Sequence, residues 1–350
     1  MNEYDINDIR AIKQFSKETF SKYKKSEVKK AFLNDLLKGN IEKSCYWGGE
    51  MLCSGYLMDL WETILLFTSK YIHLGNPKLP IYIQMRFANF KDILSKGYLG
   101  SELTIRNNDS IRKLFAELIC ILCISNKKHS FEQIKVGEND FNLILVKDKL
   151  KAPNTNYATN VFVSEDPKDF FIAINEFMYN IETKNSVNAC YWIEWIIEYE
   201  SLCLKQKKKS VCKRRLYVKN DEKYQFDIIW LVWDSIIFYS KQNKIIEKII
   251  KSLLDLFVIH YKPSVKKRRR YILYNAVSII TETINLNINM IDNKNIVEQV
   301  SNNINKIYKQ IKKSEIKPKT DYLFNGLKTE EKTNLEKTFE KLEHMDKLIY

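Results

Sequence analysis

Glycine and proline are scarce in this chain, at 9 and 6 of 350 residues, against average usage of about 7% and 5%. So few turn-formers argue against a β-sandwich and against Gly-rich phosphate loops, and favour long helices with short polar links. No apolar run reaches the ~18–20 residues needed to cross a bilayer. The start, Met1-Asn2-Glu3-Tyr4-Asp5, is acidic and lacks an apolar core, so no secretory signal is expected. No P-loop, GxGxxG, HExxH or nucleophile elbow occurs. The expectation is a soluble intracellular protein that is not an enzyme and carries no cofactor or metal. Cysteine is present as an odd number, seven, scattered through apolar stretches. That pattern predicts reduced thiols and not a disulfide framework.

A tryptophan-centred pattern is present twice. The first copy reads Cys45-Tyr46-Trp47, then Leu60-Trp61-Glu62-Thr63-Ile64-Leu65; the second reads Cys190-Tyr191-Trp192, then Val232-Trp233-Asp234-Ser235-Ile236-Ile237. Four of the six Trp fall in these equivalent places, so Tyr46, Trp47, Trp61, Tyr191, Trp192 and Trp233 are read as a repeated core. Core packing explains them better than base stacking does. The two Trp are 14 residues apart in the first copy and 41 in the second, an insertion of about 27 residues. Glu62 and Asp234 are repeat-equivalent and expected to bond within the helices.

The fold class expected is all-α: a first helical repeat at 1–130, a linker at 131–164 with a short strand at 141–146, and a second repeat at 165–290. The second repeat carries the basic insertion at 200–222. A helix, a Lys/Pro linker and an amphipathic tail with Leu335, Phe339, Leu342 and Met345 fill 291–350. Apolar periodicity places helices at 26–38, from 41, at 58–72, up to 94, from 109, and at 167–181, 187–203, 225–241, 244–261, 265–288 and 292–313. Ser26, Asp109 and Asp166 are the expected caps, with Pro167 in a first turn.

Charge is distributed unevenly. Residues 1–200 are neutral overall, 201–320 carry +16 and 321–350 carry −2. An A/T-rich coding bias inflates Lys along the whole chain and does not explain that block, which reads as a footprint for a polyanion. Lys205, Lys207, Lys208, Lys209, Lys213, Arg214, Arg215 and Lys219 lie in the insertion with no acid between Leu202 and Asn220. Lys266, Lys267, Arg268, Arg269 and Arg270 open a helix, where cations oppose the helix dipole. Both runs are assigned phosphate contacts with DNA or RNA. The bland readings are a disordered solvated loop for the first and a nuclear-import signal for the second.

Cys120-Ile121-Leu122-Cys123 is a CxxC inside an apolar helix, and His73, His129, His260 and His344 do not complete a zinc set. Structural thiols are expected. Glu194 and Glu198 share a helix face with Glu200 nearby; a solvated acidic face is preferred there to a metal or acid–base site.

Tyr46-Trp47, Met51-Leu52 and Gly55, followed by Tyr71-Ile72-His73-Leu74-Gly75-Asn76-Pro77, resemble the helical C-terminal region of MgsA/RarA-type, clamp-loader-related ATPases. The likeness covers about 50 residues, lacks the acids of that family's turn and has no ATPase module before it. It implies a helical, oligomerising, replication-associated fold and nothing of ATP hydrolysis. Most of the chain, including both Cys-Tyr-Trp triplets, also resembles an uncharacterised protein family of large nucleocytoplasmic DNA viruses. That resemblance implies a viral replication site in the host cytoplasm, with the nucleus as the alternative given the basic runs.

The expected function is a non-enzymatic basic accessory protein that binds nucleic acid through phosphates in viral DNA replication or expression. The alternative is a structural or scaffolding protein of a viral particle or replication complex, binding acidic protein partners. A homo-oligomer or a viral protein is the other expected partner, and no membrane is.

Overall fold

A computed structural model describes residues 3–98, 103–142, 146–208 and 210–317. The described chain is mostly helical. Its α-helices are α1 (Lys25–Lys38), α2 (Ile41–Cys53), α3 (Leu57–Leu66), α4 (Leu79–Ser95), α5 (Asp109–Ile124), α6 (Phe171–Glu182), α7 (Ser186–Lys205), α8 (Ile229–Ser240), α9 (Lys244–Phe257), α10 (Arg270–Thr281) and α11 (Lys294–Lys312). Two isolated bridges, Glu18 with Lys24 and His73 with Lys128, are the strand-like pairings among the described residues. Residues 143–145 of the expected strand, and the expected tail at 321–350, lie outside the described residues; Phe141 closes a 3-10 turn and Val146 sits in a turn. No described helix is long and apolar enough to cross a membrane.

The described residues fall into two units, 3–6 with 11–314, and 7–10 with 315–317. In the second, Ile9 N–H donates to Ile316 O at 3.1 Å and Ile316 N–H to Asp8 Oδ2 at 2.9 Å.

Both repeat regions lie in the first unit and share a packing order. α2 packs on α1, α3 and α5; α7 packs on α6, α8 and α10. Trp61 in α3 and Trp233 in α8 are each fully buried, Trp61 edge-on to Phe87 at 4.9 Å and Trp233 against Phe257 at 5.4 Å. Tyr191 and Trp192 are buried as expected. Tyr46 and Trp47 are only half-buried, a departure from the core reading. Trp47 keeps its indole N–H at the surface of α2 because Asp35 accepts from it at 3.0 Å. Across the repeats α4 packs on α9, and α10 on α3 and on the segment that follows it; α11 covers α5 and α2.

Helix starts differ from the expected ones. Ser26 lies inside α1, whose N-cap position is Lys24. Asn108, not Asp109, caps α5 by accepting from Ile111 N–H at 3.0 Å. Asn185, Asn243 and Asn293 do the same for α7, α9 and α11. The Asn abundance therefore has local work, since an amide oxygen satisfies an orphan N–H of the first turn. Asp166 is no cap: Pro167 precedes a 3-10 turn, Lys168–Phe170, and the Asp166 carboxylate accepts from Val163 N–H and Lys213 N–H instead. The helix expected at 58–72 breaks at Leu66 into a π-turn, Phe67–Ile72. That wider turn leaves the carbonyls of Lys70 and Ile72 free to accept from Ser130 and Lys128 N–H, tying the stretch after α5 to α3.

All seven cysteines are buried and free. Burial pushes the thiol of Cys120 to about 12 and that of Cys123 to about 11. Both side chains therefore pack as small apolar groups.

Candidate nucleic-acid interface

The five cations at 266–270 precede or open α10, which begins at Arg270, not at 265. Three of them are buried. The Lys266 ammonium is enclosed by Glu200 and by Asp227, the latter at 2.8 Å. Burial works against its charge, but Asp227 and Glu200 outweigh that and hold its pKa above the ordinary Lys value. Arg269 pairs with Glu62 of α3 and donates to Phe257 O at 2.6 Å and Ile259 O at 2.7 Å. It thus satisfies carbonyls at the C-terminal end of α9, where the helix dipole favours a cation. Arg270 lies 3.3 Å from Glu194, which also accepts from the Tyr274 hydroxyl at 2.8 Å. Only Lys267, paired with Glu198 at 2.7 Å, and Arg268, 3.3 Å from Glu62, are exposed.

This corrects two expectations together. Lys266, Arg269 and Arg270 are internal mortar, because a buried cation satisfied by carboxylates reaches a phosphate only by breaking its pair. Glu194 and Glu200 are not a solvated acidic face, being 1% and 9% exposed. They are the partners that the basic run was folded to meet. Burial raises the carboxyl pKa of Glu194 against the pull of Arg270.

The insertion is ordered over its described residues. Cys212 N–H donates to Phe226 O and Arg215 N–H to Gln225 O, both at 3.0 Å, while Cys212 and Val218 anchor it in the core. Arg215 is buried between Asp166, at 2.9 Å, and Asp234, at 2.6 Å. It is the second correction to the assigned phosphate contacts. Burial alone disfavours its charge, and the two carboxylates more than reverse that. Glu62 and Asp234, the acids that follow the repeated Trp, thus each receive an arginine, Arg269 and Arg215 respectively.

Lys209 lies outside the described residues. Lys205 and Lys207 are exposed, Lys207 at φ 60°, and neither meets a carboxylate within 4.0 Å among the described residues. Lys208 pairs with Asp169, Lys213 with Glu165 at 2.9 Å, Arg214 with Glu222 at 2.9 Å and Lys219 with Asp255 at 3.5 Å. These side chains are exposed or half-exposed, where an ion pair is worth little and exchanges readily for another anion.

Lys213, Arg214, Arg215, Tyr217 and Lys219 form one wall of a cleft of about 750 Å³. Ile237, Phe238 and Lys241 at the end of α8, Lys251, Leu254 and Asp255 of α9, and Val161 and Val163 form the rest. Six cations and two acids line it; five of the six are ion-paired, Lys251 with Glu247 at 2.6 Å and the others as above, while Lys241 meets no carboxylate within 4.0 Å among the described residues. α9 buries Ile249, Ile250, Leu253 and Phe257, so its opposite face presents Lys244, Lys248 and Lys251 together with Glu247, the partner of Lys251. A second cleft of about 800 Å³, between α4 and the end of α9, shares Lys219 and Asp255 with the first.

Comparison with protein-family models, with curated proteins and with solved structures returned no match to this chain.

The cleft is therefore lined by residues that the two basic runs only partly contained. Lys241 and Lys251 were missed, although their spacing with Lys244 and Lys248 along one face of an apolar helix was readable. Tyr217 was missed because nothing local marks it. No group of three or more metal-ligating side chains converges among the described residues.

Proposed function

We propose that this chain is a non-enzymatic accessory protein that binds nucleic acid through phosphate contacts along the cleft between the insertion and the α8–α9 hairpin. The observation that carries this reading is the cleft's lining: six cations and two acids, five of the cations being exposed or half-exposed and held by no more than surface ion pairs. All but Lys241 of these cations carry a carboxylate partner, and the exposed pairs of Lys213, Arg214, Lys219 and Lys251 are weak enough to exchange for the phosphates of a polyanion, with release of its counterions. The binding residues are Lys205, Lys207, Lys208, Lys213, Arg214 and Lys219 with Lys241 and Lys251. Lys267 and Arg268 are peripheral. A role in viral DNA replication or expression rests on the resemblance described above.

The test is a salt-dependent titration against DNA and RNA with Lys213, Lys219, Lys241 and Lys251 changed to Gln. Affinity at low salt falls steeply in that variant and its salt dependence flattens. Unchanged affinity in the variant would falsify the reading.

The alternative, a scaffolding protein that binds an acidic protein partner, is favoured by one observation. Leu216 of the insertion is 76% exposed, and Val211 and Phe226 are exposed apolar residues as well. A complex that survives nuclease and high salt, and is lost in Leu216→Ser, supports it.

A further inference from the structure

We infer that the nucleic acid taken by this cleft is single-stranded, with a base stacked on the ring of Tyr217 and phosphates on Lys213, Lys241 and Lys251. The inference rests on the phosphate-binding reading of the cleft and deepens it. Three observations carry it.

The Tyr217 hydroxyl donates to Asp234 Oδ1 at 2.7 Å, and Asp234 Oδ2 accepts from Arg215, itself locked by Asp166. The ring is thus held by its tip, yet Tyr217 remains 42% exposed in the wall of the cleft. A planar ring already immobilised loses little further freedom when a base covers it. Lys213 of the insertion and Lys241 and Lys251 of the hairpin line the same cleft as that ring, Lys213 and Lys251 in exposed pairs with Glu165 and Glu247. A π-face beside phosphate-reaching ammonium groups is the arrangement that single strands use. In a duplex, by contrast, base faces are covered by their stacked neighbours and cannot reach Tyr217. Finally, Lys219 and Asp255 line both clefts, so the two are neighbours beside α9. Each alone has the size of a small-molecule site; two side by side suit a chain.

The experiment compares fluorescently labelled oligothymidylate of about 16 nucleotides with a duplex of the same length, using the full chain at low salt. Tyr217→Ala weakens single-strand binding about fivefold or more and leaves the duplex within about twofold. Tyr217→Phe, which keeps the ring, binds the single strand like the parent. A 2-aminopurine base in the oligonucleotide is quenched by the parent and by Tyr217→Phe, and not by Tyr217→Ala. Urea unfolding of each variant excludes loss of fold, and Tyr217→Leu replaces Tyr217→Ala if the latter unfolds. Equal single-strand affinity and quenching in Tyr217→Ala, with Lys241→Gln/Lys251→Gln still weakening both ligands, overturns the stacking inference and leaves the cleft reading standing. No effect from the lysine changes, or tight binding of polyglutamate in preference to the oligonucleotide, overturns both.

Discussion

Lys266, Arg269 and Arg270 show why a cation's surroundings matter more than its presence in a run. Each is buried against a carboxylate from a different helix or loop, so removing one leaves its partner charged in a poorly solvating interior. Lys266→Met strands Glu200 and Asp227, and urea unfolding should show a loss of about 3–5 kcal/mol. Arg268→Gln removes an exposed charge 3.3 Å from Glu62, and the same measurement should move by less than about 1 kcal/mol. His73 supplies a pH-dependent counterpart. Its ring is buried with neither nitrogen hydrogen-bonded among the described residues, and burial, helped by Lys128, lowers its pKa from 6.5 to about 4. The unfolded chain therefore takes up the proton first. His73 weakens the fold progressively as pH falls from about 6.5 to about 4, by about 3 kcal/mol in all. His73→Asn tolerates the positive φ of 47° and removes the titration. The difference between parent and variant unfolding free energies across that window should slope accordingly, and a flat difference refutes the assignment.

Among the helices, local chemistry and tertiary partners divide the work. Four α-helices begin on an Asn whose side chain accepts from the first turn. Asn243→Ala should therefore lower stability by about 1 kcal/mol without changing nucleic-acid affinity. α10 has no such cap, and cations at its start oppose its dipole. Acids of α7 and α3, with Asp227, offset that: Glu194, Glu198, Glu200, Glu62 and Asp227 lie close enough to neutralise the run. The paired apolar and basic faces of α9 were readable from spacing alone, as were the approximate bounds of most helices. The breaks were not. In the π-turn at Phe67–Ile72 the carbonyls of Lys70 and Ile72 accept from Ser130 and Lys128 N–H, partners that come from a segment nearly 60 residues away.

At the scale of the molecule, the excess of positive charge in 201–320 splits into two fates. One part is consumed by the joints between helices; the other stays at the surface of the insertion and the α8–α9 hairpin. On the proposed single-strand reading, with about five exposed cations in contact, the plot of log affinity against log salt should have a slope of about −3 to −4. A slope near zero would show that phosphates do not carry the binding. The joints also connect the repeats: Arg269 of the second reaches Glu62 of the first, and α4 lies on α9. A double-mutant cycle between Glu62→Gln and Arg269→Gln should give a coupling well above that of an exposed pair.

Helical class, the doubled Trp pattern, the buried thiols and the sign of the charge were all settled by residue type and spacing. These depend on periodicity and local propensity, which act over one or two helical turns. Which cations face water was settled only by the tertiary structure. Residues 205–219 and 266–270 look alike as strings, and whether a carboxylate waits at 62, 166, 194, 200 or 227 depends on chain reversals that no local pattern encodes.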